Sequence, residues 1–316
     1  MSAGGCCAAV VAVGFRVREV ALAAPVTAVE GGLDSSDDQY LGEHHVYTPH
    51  RAGLPPLGRY VRELWKRRQF VVELARAELK AQNWDTVFGQ VWLVLNPLFN
   101  AGVYLLLRVV LSNAPLKHGY LVHLIGGIFV YTYVTSVISQ ATGSVVGGGR
   151  LIMNTAFPRL LLPVTQIVIA FFRFLPTLPV LALLILLTLR GDVGWPIVLA
   201  VPVFILMTLT AAGLGFISAA LQVYFRDWRQ LLPYLLRLML YLSPVLYFPS
   251  EASHAIRRIL RVNPLAGMFD AWSTCIVRSE VPGWHVWAES LFWSLGFFLV
   301  GSLMFMSRER DFAVRI

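Results

Sequence analysis

A chain of 316 residues that is 57% hydrophobic and only 14% charged is no ordinary soluble domain, in which about a quarter of the residues carry charge. The charges gather between long apolar runs, the pattern of a polytopic all-α membrane protein; continuous rather than alternating runs argue against a β-barrel. The net charge of +8 needs no nucleic acid to explain it, because basic cytoplasmic loops are the rule in membrane proteins.

Residues 1–56 carry the least information and read as a disordered cytoplasmic tail, acidic and polar over Glu30–Glu43. The short apolar run Ala8–Val13 has no basic region ahead of it and makes a poor signal peptide. Cys6, Cys7 and Cys275 lack metal-ligand spacing, and Cys275 reads as a small packing residue. His44, His45 and His50 have no further ligands at suitable spacing and read as solvated tail residues, so no metal site is expected. Pro55 and Pro56 end the tail. Between Arg59 and Lys80 the residues Val61, Leu64, Trp65, Val72, Ala75 and Leu79 recur at helical spacing, while Arg62, Lys66, Arg67, Arg68, Arg76 and Lys80 fill most of the rest. That pattern predicts an amphipathic segment over 57–85 lying in a membrane surface, its cations near anionic headgroups. A juxtamembrane segment that is simply positive fits the same residues.

Six spans follow, since about 20 apolar residues cross a bilayer: Gly89–Leu111, Tyr120–Ala141, Val164–Leu189, Trp195–Leu221, Leu232–Phe248 and Trp287–Met306. The basic residues before the first span, then Arg150 and Arg159, then Arg226 and Arg229, then Arg308, Arg310 and Arg315 fall on one side. That side is expected to be the cytoplasm, with both termini inside and the chain in the plasma membrane. The loop Ser250–Gly283 departs from the rule by carrying Arg257, Arg258, Arg261 and Arg278 on the outer side. One reading is an exception to a rule counted over many loops. The other is that Leu260–Trp272, broken at Asn263–Pro264, re-enters the membrane under the cover of protein or a watery cavity.

Few residues offer chemistry of their own. The glycine-rich stretch Gly143–Arg150 lacks the Lys-Ser/Thr of a phosphate-cradling loop, so the chain is not expected to hydrolyse ATP. Asp192, Asp227, Asp270 and Glu289 are scattered singly, which speaks against an enzyme. Arg173 lies about 15 Å along its helix from Pro163 at ~1.5 Å per residue, near mid-membrane, where it would bind an anionic substrate group, pair with a polar neighbour or reach toward water. In the loop Gly147–Pro163 a short helix between the glycine run and the Phe157-Pro158-Arg159 break would present Leu151, Ile152 and Met153 to a partner, or form an ordinary tight loop. Phe129, Tyr131 and Tyr133 crowd the second span, and Phe171, Phe172 and Phe174 the third. Aromatic faces suit sugar rings, and they also suit helix packing and lipid.

Four stretches together resemble one family, the permease subunits of type-2 ABC exporters in the polysaccharide and polyol-phosphate branch. They are LARAELKAQNWDTVFGQVWLVLNPL (Leu74–Leu98), NTAFPRLLLP (Asn154–Pro163), VYFRDWRQLLPYLLRLMLYLSPVLY (Val223–Tyr247) and VNPLAGMFDAW (Val262–Trp272). Each is weak alone; their order and spacing from about Tyr60 to Arg310 make the resemblance specific. It implies a six-span permease domain over 86–310, a cytoplasmic C-terminus over 311–316, and a homodimer whose interface forms a channel. It further implies a separate ABC ATPase subunit that carries ATP and Mg, with no cofactor bound by this chain and a lipid-linked glycan as substrate.

By the same resemblance, Leu151, Ile152, Met153, Phe157, Pro158 and Arg159 would form the coupling loop on the ATPase. Trp65, Arg67 and Arg68 would belong to a gate helix, and Phe129, Tyr131, Tyr133 and Arg173 would be candidates to line the channel. Asn263 and Pro264 would begin re-entrant helices near the outer exit. The composition and the lead-in GEHHVYTPHRAGLPPLGRYV look most like actinobacterial galactan exporters, beside O-antigen exporters. The family often has a small polar or acidic residue near the position of Arg173, so an extra cation there is a departure. Alternatives to glycan export are a small-molecule or lipid efflux permease of the same superfamily, and an ATP-independent lipid-handling membrane protein.

Overall fold

Every regular element in the computed structural model is helical among the described residues, which are 56–82, 89–111, 118–155, 157–189, 194–249, 258, 260 and 263–315. The expected tail up to Pro55, with Cys6, Cys7, His44, His45 and His50, lies outside them, as does most of 250–262. The elements in order are α1 (Leu57–Lys66), α2 (Arg68–Gln82), α3 (Trp92–Leu111), α4 (Tyr120–Gly147), α5 (Gly149–Asn154), α6 (Leu161–Phe174), α7 (Thr177–Leu189), α8 (Ala200–Tyr224), α9 (Trp228–Tyr241), α10 (Ala266–Ser273), α11 (Trp284–Arg308) and α12 (Phe312–Arg315).

Among the described residues, four helical segments are long and apolar enough to cross a membrane: Gly89–Val110, Tyr120–Gly147, Trp195–Tyr224 and Trp284–Asp311. The pair α6 and α7, bent by 40° at a short break, makes a fifth if it crosses as one span. Pro176 and Pro179 stand at that break and in the first turn after it, where a missing N–H and a ring clash interrupt the helix ladder. The expected span over Leu232–Phe248 differs. Its helix, α9, has only 14 residues, or about 21 Å at ~1.5 Å per residue, against a hydrocarbon core of ~30 Å. Turns from Leu242 to Val245, around Pro244, end it. The amphipathic segment also differs from a single rod: it is two helices, α1 and α2, parted at Arg67.

The apolar run of α4 is polar only toward its C-terminal end, and the helix is accordingly the centre of the bundle, packed against α3, α6, α7, α8 and α9. Of its apolar window 72% is buried, against 11% for the first span. The pair α8 and α11 shares the other large interface. At that crossing two glycines meet, and an added Cβ on Gly213 would lie 2.3 Å from the carbonyl of Phe297. Small residues of this kind let helix backbones approach closely inside a membrane.

The end of the bundle away from α1 is closed by a polar knot. Asn263 donates to the Leu242 carbonyl at 2.8 Å and to Ser243 Oγ at 3.0 Å, and accepts from the Leu265 N–H at 3.0 Å. His123 of α4 meets Ser273 Oγ at 2.6 Å and the Tyr247 carbonyl at 3.3 Å, with its ring against Phe248. From Asn263 the chain runs into α10, whose Met268 and Phe269 are fully buried against the core, and through a π-helical turn, Thr274–Arg278. Cys275 is buried there as a packing residue. Each buried hydrogen bond that loses its partner costs ~1–3 kcal/mol. Asn263→Leu is therefore expected to lower the thermal unfolding midpoint in detergent clearly, by a loss of about 2–4 kcal/mol. An unchanged midpoint would show that Asn263 does not hold this end.

Candidate functional site: a cationic cavity

The opposite end carries α1, α5 and the last turns of the chain, and it holds the expected coupling loop and gate helix together with Arg173. A cavity of about 850 Å³ opens there between α2, α4, α5, α6 and α9. Its charged lining is Arg150, Arg173 and Arg229 against one carboxylate, Glu78, which accepts a hydrogen bond from Gln166 at 3.0 Å. Ser139, Gln140, Thr142 and Ser144 of α4 add polar groups to the wall. The glycine run has a role in this wall. Gly143 and Gly147 face open space, so their missing side chains widen the cavity, while Gly148 admits Leu162 at 2.8 Å from where a Cβ would stand.

Arg173 sits in the last turn of α6, half-buried, just before the bend into α7. It also lines a second cavity of about 650 Å³, with Lys80, Gln90, Phe172 and Pro176. The one cation expected at depth thus forms part of the wall of both. Arg229 lies in the first turn of α9, where the helix dipole disfavours a cation. Its charge there costs a few tenths of a kcal/mol or more, so it is held against the local preference of the helix.

The short helix expected after the glycine run is α5. Its residues divide between two jobs. Ile152 is buried and Leu151 half-buried against the surrounding core, whereas Met153 is 68% exposed beside exposed Arg150 and Asn154. Phe157 packs on Phe70 of α2, ring centres 5.7 Å apart, and Pro158 is buried. Arg159 turns inward. Its guanidinium donates to the carbonyls of Glu309 and Arg310, and its N–H donates to Glu309 Oε1 at 2.6 Å. The other oxygen of Glu309 accepts from Tyr60 Oη at 2.5 Å. Burial, then the neighbouring Glu309, push the Tyr60 phenol well above its ordinary value, so it remains a donor.

On α1 the residues Leu57, Val61 and Trp65 form an exposed apolar stripe at four-residue spacing, with Trp65 70% exposed. Arg67 and Arg68 are exposed at the junction with α2, and the Arg68 guanidinium carbon lies 5.3 Å from the Trp65 ring centre. These residues are apart from the cavity lining.

The aromatic candidates of the second span lie apart from both cavities. Phe129, Tyr131 and Tyr133 are buried inside the protomer, in the stretch of α4 covered by α8, α9 and their neighbours. Tyr131 donates to the Leu236 carbonyl, Tyr133 meets Thr208 Oγ1 at 3.1 Å, and Tyr133 stacks on Phe204. They hold α9 and α8 to α4 and line neither cavity. Asn263 and Pro264 belong to the knot at the other end. Sequence reasoning missed Glu78, Gln166, Tyr60 and Glu309. Glu309 alone had a visible signal, one carboxylate flanked by Arg308 and Arg310.

No family model matches the chain. The O-antigen export system permease protein RfbA of Klebsiella pneumoniae is 27% identical over 252 residues, covering 77% of this chain and 93% of that protein. The protein of the same description from Myxococcus xanthus is 27% identical over 263 residues, covering 82% of this chain and 99% of its own length. Matches that run nearly the whole length of both relatives agree with the four motifs: this chain resembles the permease subunits of type-2 ABC exporters, and among them those of O-antigen export systems.

Proposed function

We propose that the chain is the transmembrane subunit of an ABC exporter that carries a lipid-linked polysaccharide, of O-antigen or galactan type, outward across the plasma membrane. ATP is hydrolysed on a separate nucleotide-binding subunit. The observation that carries the substrate class is the cavity lined by Arg150, Arg173 and Arg229. Guanidinium groups suit the oxygens of phosphate esters, which they bind through paired, charge-assisted hydrogen bonds. A phosphate-ester junction between a lipid and its glycan would present that chemistry. The stripe Leu57–Val61–Trp65 with its neighbouring cations fits a helix lying in the headgroup layer.

The exposed face of α5, with Met153 at its tip, is the proposed docking point for the ATPase, placing this end and both termini in the cytoplasm. Two copies would pair through apolar surface left open on the first span and α9, such as Val103, Leu106, Tyr234 and Leu238, and would frame the conduit between them. The experiment is depletion of the protein in its host, followed by extraction and sizing of lipid-linked glycans. Accumulation of a long glycan on its carrier is the expected result, and its sugar composition names the substrate. A normal glycan pool with altered drug sensitivity or lipid profile would replace this reading with efflux of small molecules or lipids.

A further inference from the structure

We propose that Glu309 is a positioning residue that fastens the α5 loop to α1, so that a push received at the docking loop reaches the amphipathic helix without slack. The inference rests on the docking role given to α5 above. Three elements far apart in sequence meet on this one carboxylate. Tyr60 of α1 donates to Oε2 at 2.5 Å, the Arg159 N–H of the loop donates to Oε1 at 2.6 Å, and the carboxylate itself extends from the end of the last span. The Arg159 guanidinium closes the ring by returning to the carbonyls of Glu309 and Arg310. A second strut runs parallel, Phe70 of α2 against Phe157 of the loop.

Apolar packing already holds this end. Phe216, Phe305 and Phe312 are buried together with Ile152, Leu160 and Leu162. Packing is non-directional and tolerates sliding, whereas two charge-assisted hydrogen bonds to opposite oxygens of one carboxylate fix distance and direction. The polar tie therefore adds what the apolar cluster lacks, a defined separation between α1 and the loop. Neither Glu309 nor Tyr60 lines either of the two cavities described above. Their contribution lies in transmission.

The test uses the full permease assembled with its ATPase in proteoliposomes. Cys6 and Cys7 are replaced by serine, and spin labels are placed at Gly58→Cys on α1 and Asn154→Cys on α5, both exposed positions. Tyr60→Phe removes one hydroxyl and keeps the ring; Glu309→Gln keeps one acceptor. In the unmodified protein the label-to-label distance is expected to stay narrow and unchanged when a non-hydrolysable nucleotide binds. In both variants it is expected to broaden, while glycan exported per ATP hydrolysed falls about tenfold, the equivalent of one such hydrogen bond. Thermal stability of Tyr60→Phe should fall modestly, by the loss of one hydrogen bond, and the distances are read well below its unfolding midpoint, which separates the effect from unfolding.

An unchanged distance in Tyr60→Phe overturns the proposal, whatever becomes of Glu309→Gln. A broadened distance with unaltered glycan per ATP overturns the transmission. Should the unmodified complex export no glycan at all, the assigned function fails, and the fastening is then judged on the distance alone.

Discussion

Gly213→Leu is expected to leave almost no folded protein in the membrane, and Gly213→Ala to leave a severely destabilised one. The reason is geometric. A Cβ at Gly213 would lie 2.3 Å from both the carbonyl carbon and oxygen of Phe297 and 2.6 Å from the nitrogen of Phe298. All three are backbone atoms of α11 and cannot rotate away. The crossing is reciprocal, since a Cβ on Gly301 would meet the Gly213 oxygen at 2.3 Å. Relief requires α8 and α11 to separate along their length. Separation in turn stretches the bonds made at the same seam, Ser294 Oγ to the Leu206 carbonyl at 2.9 Å and Thr210 Oγ1 to Ser294 Oγ at 3.0 Å. Overpacking alone costs ~1–3 kcal/mol and each lost buried bond ~1–3 kcal/mol more, so a total beyond about 3 kcal/mol is expected even for alanine. The control is Gly296→Ala on α11, where nothing lies within 4 Å of the new methyl. Helix propensity predicts that it is neutral or up to ~1 kcal/mol stabilising. The readout is the yield and melting temperature of monodisperse protein. Equal behaviour of the Gly213 and Gly296 variants would show that the two helices do not cross at these glycines.

The second large effect concerns Arg173. Arg173→Glu is expected to reduce export at least tenfold while the protein inserts normally, and Arg173→Lys to reduce it less. Reversal places a second carboxylate in the cavity beside Glu78 and takes one of three guanidinium groups from the wall. Hydrogen bonds to charged groups are worth ~1.5–3 kcal/mol, which is about 10- to 100-fold in binding. Lysine keeps the charge but loses the planar fork that engages two oxygens together. The measurement is the level of lipid-linked glycan retained inside cells that carry each variant as their sole copy. Retention that matches the parent for Arg173→Glu would remove this residue from the substrate path.

The spans with long uninterrupted apolar runs were legible in sequence because their length and lack of charge admit no other environment. The short α5 was legible because a glycine run and a Phe-Pro-Arg break bound it on both sides. The end of the helix in the fifth expected span is not legible in sequence: composition continues apolar through Pro244, but α9 ends at Tyr241, and hydropathy does not register where a backbone turns. The aromatics of the second span were read as wall residues because burial against protein and exposure to a channel demand the same side chains. Only the packing of α8 and α9 onto α4 decides between them. Arg173 is legible as a cation within an apolar run, and of its companions around the cavity Gln166, seven residues earlier on α6, stands at helical spacing from it. Glu78 and Gln140, two further companions, come from α2 and α4 and share no spacing with it that a linear pattern could reveal. The Tyr60–Glu309 contact, 249 positions apart, is of the same kind.

The thinly covered first span has a further consequence. In water, peeling such a helix from its bundle would carry a large hydrophobic penalty. In hydrocarbon that penalty vanishes, since lipid tails solvate the exposed face as well as leucine does. What restrains α3 is then the dispersion energy of the side it leans on, largely α4, with the Arg108 guanidinium over the Tyr120 ring and Tyr104 edge-on to Tyr241. Its angle is consequently a soft coordinate, governed by bilayer thickness and by whatever neighbour the membrane supplies. The chain's lipid surroundings therefore act as a working part of its architecture.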